Sequence, residues 1–224
     1  MTMGIDVLVV AVHPDDETLG CGGTILRHAA NGDRIHWLIV TDMIPELYSQ
    51  DQIDGREGEL SSVASQYGFS SVTRLGFPTT QLFNIAETAL IDAFSASIRR
   101  ICPHTIYLPF MNDIHSDHRI AFHAAMTCAK SFRNPFIKRL LMMEALSETE
   151  CAPPVASGYF VPNMYTDISD YIDRKLAILG LYAGEMAPPP FPRSVETIRC
   201  LAGFRGAVAG CRYAEAFMLL REIQ

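Results

Sequence analysis

Apolar runs of strand length alternate with amphipathic stretches of helical length along most of the chain. Residues 5–12, IDVLVVAV, form a continuous β-branched run, the pattern of a strand buried on both faces. The next segment, ETLGCGGTILRHAANG, sets Leu19, Ile25, Leu26 and Ala29 at roughly helical spacing and ends on Asn31-Gly32, a helix stop. Together they predict a first βα unit. RIHWLIVTD (34–42) predicts a second strand, and GREGELSSVASQYG (55–68) a helix with Leu60, Val63, Ala64 and Tyr67 on one face and Gly68 at its end. The alternation continues with a strand at 72–78, a helix at 86–101, a strand at 105–110, a helix at 119–132 and a strand at 138–146. This order predicts an α/β fold, a Rossmann-like doubly wound and mostly parallel central sheet with helices on both faces.

The last third is less regular. FVPNMYTDIS (160–169) reads as an edge strand, DYIDRKLAILGLYAGE (170–185) carries Ile172, Leu176, Leu179 and Ala183 on one stripe, and VETIRCLAGFRGAVAG (195–210) reads as a helix pair or a helix with a break. Two stretches, 43–54 and 184–194, fit no regular element. The first follows a strand at its carboxyl end, where open parallel sheets bind ligands, and the second is too rich in proline for a helix. Both are candidates for the rim of a site; a plain surface crossover explains the proline-rich stretch equally well.

Composition narrows the classes. A chain of 224 residues, 49% hydrophobic and 19% charged, suits one domain spanning 1–224. Its 18 basic and 25 acidic residues give a net charge of −7 with no Lys/Arg run, which argues against nucleic acid as a partner. The apolar run near the N-terminus lacks a basic flank and is too short to span a bilayer, so no membrane insertion and a cytoplasmic location are expected. Six scattered cysteines are expected to serve as reduced core residues. A homo-oligomer is compatible with the apolar composition.

The chemistry concentrates in two places. HPDDE (13–17) follows the first strand directly, and Pro14 with three acids could simply favour the positive end of a helix. MNDIHSDHR (111–119) repeats the arrangement after the strand TIYLPF and before a helix, so both clusters fall on the carboxyl edge of one sheet. His13 and Asp16, three apart, can converge on one point while Asp15 points elsewhere. Asp, His and His with an open fourth position is the ligand set of a catalytic zinc, with Asp15 as the base that takes the proton of water. Fe²⁺, Mn²⁺ or Co²⁺ suit the same donors. A rival reading is a Mg²⁺-binding phosphoacceptor domain of the receiver type. That reading needs an acceptor aspartate where this chain has LGFPTTQ, and it leaves HSDH and about 100 residues without a role.

AVHPDDETLGCGG resembles the AHPDDE signature of the LmbE-like (PIG-L) N-deacetylase family, and HSDH at 115–118 resembles its second signature. REGELSSVASQYG with the following LGFP is similar to the family's Arg-x-x-Glu helix and strand, and RG...G..YAEAF (205–217) to its usual ending. The resemblance implies zinc held by His13, Asp16 and His118, Asp15 as general base, and His115 as the group that stabilises the oxyanion. Asp117 would orient a histidine from behind, or serve only as a helix-start acid. Arg56 would contact substrate, though such an arginine is usually a solvated surface residue. Asn112 could donate to a sugar hydroxyl, or only form a turn. The implied reaction is hydrolysis of an acetamide to acetate and a free amine, on N-acetylglucosamine units either bare or joined to inositol, malate, lipid or glycopeptide. An amidase for another acyl group or a thiol conjugate, and a non-catalytic sugar-binding protein, are the neighbouring alternatives. Thr79 stands where family members often carry Asp after LGFP, a departure at a point of sugar recognition. His28, His36, His104 and His123 lie away from both clusters and are expected to be surface or core histidines.

Overall fold

The computed structural model describes residues 4–155 and 158–224; residues 1–3 of the expected 1–224 domain lie outside it. The elements are β1 (Asp6–Ala11), α1 (Asp16–Ala30), β2 (Arg34–Asp42), α2 (Gln50–Tyr67), β3 (Ser71–Pro78), α3 (Glu87–Ile101), β4 (Thr105–Pro109), α4 (Ser116–Cys128), β5 (Arg139–Met143), β6 (Met164–Asp167), α5 (Ile172–Leu179), α6 (Val195–Ala209) and β7 (Ala214–Glu222). The strands form one sheet in the order β3-β2-β1-β4-β5-β7-β6. β1 to β5 pair in parallel, while β7 runs antiparallel to both β5 and β6. This is the α/β fold that the alternation predicts, with an antiparallel extension at one edge.

Strand β1 shows why both faces are covered. Val7, Val9 and Ala11 point into a cluster with Leu19, Ile25, Leu60, Val63, Leu176 and Ile198, from α1, α2, α5 and α6. Leu8, Val10 and Val12 point the other way, against Leu90, Phe94, Ile98, Ala121 and Ala125 of α3 and α4. Burial on both faces demands the unbroken apolar run. From β1 the chain winds one way to β2 and β3, then returns to add β4 and β5 on the other side. The carboxyl ends of β1 and β4 therefore diverge at the switch point of the sheet, where such folds bind ligands.

Helix α1 is broken at Cys21, which sits at φ −146° and ψ 23°. A break inside the core strands amides and carbonyls that must find partners. The Glu215 carboxylate accepts from the backbone N–H of Gly23 at 2.9 Å and of Thr24 at 2.7 Å. Lys175 completes the splice, donating to Glu215 at 2.7 Å and to the Leu19 carbonyl at 2.8 Å. The break also brings the helix close to its neighbours: a Cβ on Gly20 would lie 2.6 Å from the Met143 sulfur.

Several boundaries differ from the sequence reading. α2 starts at Gln50 rather than 55, because Ser49 and Gln52 form a reciprocal capping box inside the supposedly irregular 43–54 stretch. α4 starts at Ser116 rather than 119, so HSDH lies in its cap and first turn. α6 is continuous rather than broken, and α5 stops at Leu179. Of the six cysteines, all free, only Cys21 and Cys128 are buried; Cys102, Cys151 and Cys200 are exposed, against the expectation of core use. Among the described residues no helix is long and apolar enough to cross a membrane.

Candidate active site

The turn after β1 is held in an unusual shape. Asp15 has φ 135°, a conformation that costs a non-glycine residue about 1–3 kcal/mol and needs support from its surroundings. Glu17 supplies part of that support. Its Oε2 accepts the Asp15 N–H at 3.2 Å, and its Oε1 accepts the hydroxyls of Thr18 at 2.6 Å and Tyr182 at 2.7 Å. Burial pushes the Glu17 carboxyl up to about 6. Asp16 turns back onto the strand end, its Oδ2 accepting the N–H groups of Val12 and His13, both at 2.9 Å. Three consecutive acids thus face three different ways, which the helix-dipole account alone does not require.

The second segment aims two histidines at this turn. His118, fully buried, meets Asp113 through Nδ1 at 2.8 Å, and Asp113 is itself fixed by the Thr149 hydroxyl at 2.6 Å. His13 meets Asp117 through Nε2 at 3.3 Å, while Asp117 also accepts the N–H groups of Thr80 at 2.7 Å and Leu82 at 3.1 Å. Each carboxylate takes the proton-bearing nitrogen of its histidine, so the opposite nitrogen presents a lone pair. Those bare atoms, His13 Nδ1 and His118 Nε2, lie 3.3 Å apart, and Asp16 Oδ2 lies 3.3 Å from His118 Nε2.

Three electron-pair donors converging in a buried place repel one another unless a cation or proton lies among them. A tetrahedral zinc with bonds of about 2.0–2.1 Å sets its ligands about 3.3–3.4 Å apart; the two edges at His118 Nε2 match this, and all three atoms lie within 4.8 Å of one another. The titration directions show the same pull. Burial disfavours charge on His118, yet Asp16 and Asp113 outweigh it and raise its pKa well above the ordinary histidine value. Asp16, despite burial, is held below the usual carboxylate range by His118 and His13. A second grouping of His13, His115 and Asp117 also lies within ligand reach. Asp16 and Asp117 each accept two backbone amides, so that contact does not separate the groupings; the first is the more deeply buried, with both Asp16 and His118 shielded from solvent.

Beside the cage opens a cavity of about 220 Å³, lined by Asp15, Arg56, Thr79, His115, Glu148 and Arg193 among others. His115 accepts the Asp117 N–H on Nδ1 at 3.1 Å, which leaves Nε2 as its proton-bearing nitrogen. Burial, reinforced by His13, lowers its pKa to about 4, so it meets a ligand as a neutral donor. Burial raises the Asp15 carboxyl well above its ordinary value, the neighbouring Asp16 adds to this, and Arg193 opposes it.

The structure places the remaining predicted residues unevenly. Arg56 lines the cavity, but its guanidinium is engaged by the Pro14 carbonyl at 3.2 Å and Glu185 at 2.9 Å, not solvated. Asn112 does not line it; it borders a neighbouring depression with Ile114 and Arg119. Thr79 is on the wall, next to Asp42. Both irregular stretches do reach the rim, through Met43 and Tyr48 on one side and Glu185 and Arg193 on the other. Sequence reasoning passed over Asp113, although it lies inside MNDIHSDHR, and Arg193, which no motif marks. A larger cavity of about 660 Å³ lies among Arg27, His28, Tyr107 and Thr166, remote from these groups.

Comparison with known proteins accords with this geometry. The model of the PIG-L family, described as GlcNAc-PI de-N-acetylase, matches residues 8–129, a span that contains both acid-histidine clusters. A 1D-myo-inositol 2-acetamido-2-deoxy-alpha-D-glucopyranoside deacetylase of Rhodococcus jostii is 33% identical over 153 residues, covering 55% of this chain and 52% of the relative. The chain therefore aligns with about half the length of that enzyme. The diacetylchitobiose deacetylase of Thermococcus kodakarensis is 25% identical over 222 residues, covering 93% of this chain and 80% of that one. Among solved structures, the conserved protein TT1542 of Thermus thermophilus superposes with a TM-score of 0.79 at 28% identity, over 98% of this chain and 96% of its own. With the family match spanning more than half of the sequence and both clusters inside it, the chain belongs to the PIG-L family.

Proposed function

We propose that the protein is a metal-dependent N-deacetylase that hydrolyses the acetamide of an N-acetylated amino sugar or N-acetylglucosamine conjugate to acetate and a free amine. The observation that carries this reading is the convergence of two imidazole nitrogens and the Asp16 carboxylate beside a second buried carboxylate and a neutral histidine on one small cavity. His13, Asp16 and His118 would hold the metal, with zinc the first candidate. When bound, such an ion polarises a carbonyl and makes a nearby water more acidic.

The chain's own groups do the rest. Asp15 accepts the proton of the attacking water and later returns it to the leaving nitrogen. His115 donates its Nε2–H to the oxygen on which negative charge develops, a contact that strengthens in the transition state. Asp113 and Asp117 fix the rings of His118 and His13 from behind. The cavity, small and ringed by charged groups, accepts a compact polar unit, and Arg56 and Thr79 stand where they can meet sugar hydroxyls. The two named relatives act on N-acetylglucosamine-type sugars by their descriptions, which supports the substrate class. We take 1–224 as one deacetylase domain, since β6 and β7 from the last third complete the same sheet as β1.

Acetate release from N-acetylglucosamine and a panel of its conjugates, measured with metal-free protein and after reloading with zinc, tests the reading. Release that depends on metal is expected. Metal binding with release of amine but of a different acid would replace the substrate class and keep the site; no hydrolysis of any amide by the loaded protein would overturn the proposal.

A further inference from the structure

Arg193 lies 178 positions from Asp15 in sequence and touches its carboxylate, Nη1 to Oδ2, at 2.5 Å. It comes from the proline-rich 184–194 stretch, and the start of α6 fixes the direction of its backbone. Ser194 is fully buried and caps that helix, accepting the Thr197 N–H at 3.0 Å. The side chain is anchored at its other end as well, with Nε donating to the Ser147 hydroxyl at 2.8 Å. The same Nη1 reaches Glu185 at 3.1 Å, and Nη2 lies 3.6 Å from Glu148. A planar guanidinium held at Nε and at Nη1 has one orientation, unlike a lysine ammonium on a flexible stem.

We propose that Arg193 is a positioning residue for Asp15, an inference that rests on the deacetylase reading. By occupying Oδ2 it orients the carboxylate so that Oδ1 takes the proton. In the first step a water O–H bond breaks, the proton goes to Oδ1, and the water oxygen bonds to the acyl carbon while the carbonyl π pair moves onto its oxygen. In the second the oxyanion pair re-forms the carbonyl bond, the C–N bond breaks with its pair on nitrogen, and that proton passes from Oδ1 to the amine nitrogen. Arg193 keeps its charge throughout. Arg56 does not take this place: its guanidinium donates to the Pro14 carbonyl and to Glu185 rather than to Asp15. The competing role, recognition of an anionic group on the substrate, would act on binding rather than on the orientation of the base.

The test uses zinc-loaded protein and the best substrate of the acetate panel. Arg193→Ala is expected to lower kcat about 100-fold with KM within about threefold, since a misplaced base costs rate rather than binding. Added guanidinium should restore at least about tenfold of that loss, and Arg193→Lys, which keeps the charge without the fork, should fall between the two. Asp15→Asn with Arg193→Ala should be no slower than Asp15→Asn alone, because the two act as one unit. In nitrogen-detected NMR the Arg193 Nη signals should be separate in the wild type and averaged in Asp15→Ala. Averaged signals in the wild type would overturn the contact itself. An unchanged kcat, a loss confined to KM for anionic substrates, or additive losses in the double variant would overturn the positioning role. A loaded wild type with separate signals but no hydrolysis would overturn the reaction, and the catalytic half of this inference with it. Should Arg193→Ala fail to fold, the lysine variant and the spectra decide.

Discussion

Asp15 and Asp16 are chemically identical neighbours, and the backbone turns them in different directions. Asp16 folds back on two amides of the strand end and faces His118, whereas Asp15, at φ 135°, faces the cavity. Asp15→Asn preserves the shape and removes the proton acceptor. Acetate release should fall at least about 10³-fold while the protein retains its zinc by metal analysis; loss of metal together with rate would make Asp15 a ligand instead. Asp113→Ala should leave the His118 Nδ1–H without its acceptor and the ring free to turn. Zinc affinity, measured by chelator competition, should weaken about 10–100-fold, and an unchanged affinity would detach Asp113 from the site. That two acid-histidine runs would meet at one sheet edge was legible because each run abuts a strand, while the choice of His118 within the second run came from the family resemblance. Asp113 was not legible, because a turn aspartate and a ligand-orienting one look alike until the partner ring is in place. Arg193 had no local signal at all, since its contact with Asp15 exists only after the chain has wound back across the sheet.

Among elements, β1 to β5 could be read because burial on both faces forces near-continuous apolar sequence. β7 was noticed only as a YAEAF ending, since its second half is partly exposed and its alanines are weak strand formers. α6 looked interrupted because of its glycines. Gly206, though, marks a close approach: a Cβ there would lie 2.7 Å from the backbone of Arg212. The splice in α1 was equally hidden, as Glu215 and Lys175 gain their meaning only when β7 and α5 meet the helix. Both side chains are 4% exposed, so Lys175→Met should leave a buried carboxylate without its counter-charge. Removing one partner of such a pair costs about 3–5 kcal/mol, to be read as a lower denaturant midpoint in metal-free protein. A shift under about 1 kcal/mol would mean that the Gly23 and Thr24 amides satisfy Glu215 unaided.

At the scale of the molecule, the proposed metal cage joins two segments that no continuous element connects. His13 and Asp16 belong to the end of β1 and the start of α1, and His118 to the first turn of α4. β1 and β4 are adjacent in the sheet, so their chain ends leave the switch point side by side and these three side chains meet across it. A cation at this point would fasten the two βα units together and relieve the repulsion among the three donors, stabilising the folded chain by more than its own local contacts. Ligand binding to the native state alone adds about 2.7 kcal/mol at a free concentration of 100 Kd. For a chain of this size that corresponds to a rise in Tm of about 5–11 °C. Stripping the protein with a chelator should lower Tm by this order and zinc should restore it, while His118→Ala should melt at the same temperature with and without zinc. A wild type whose Tm ignores both treatments would show that the cage holds no ion in solution, and the convergence of these three side chains would then need protons rather than metal to account for it.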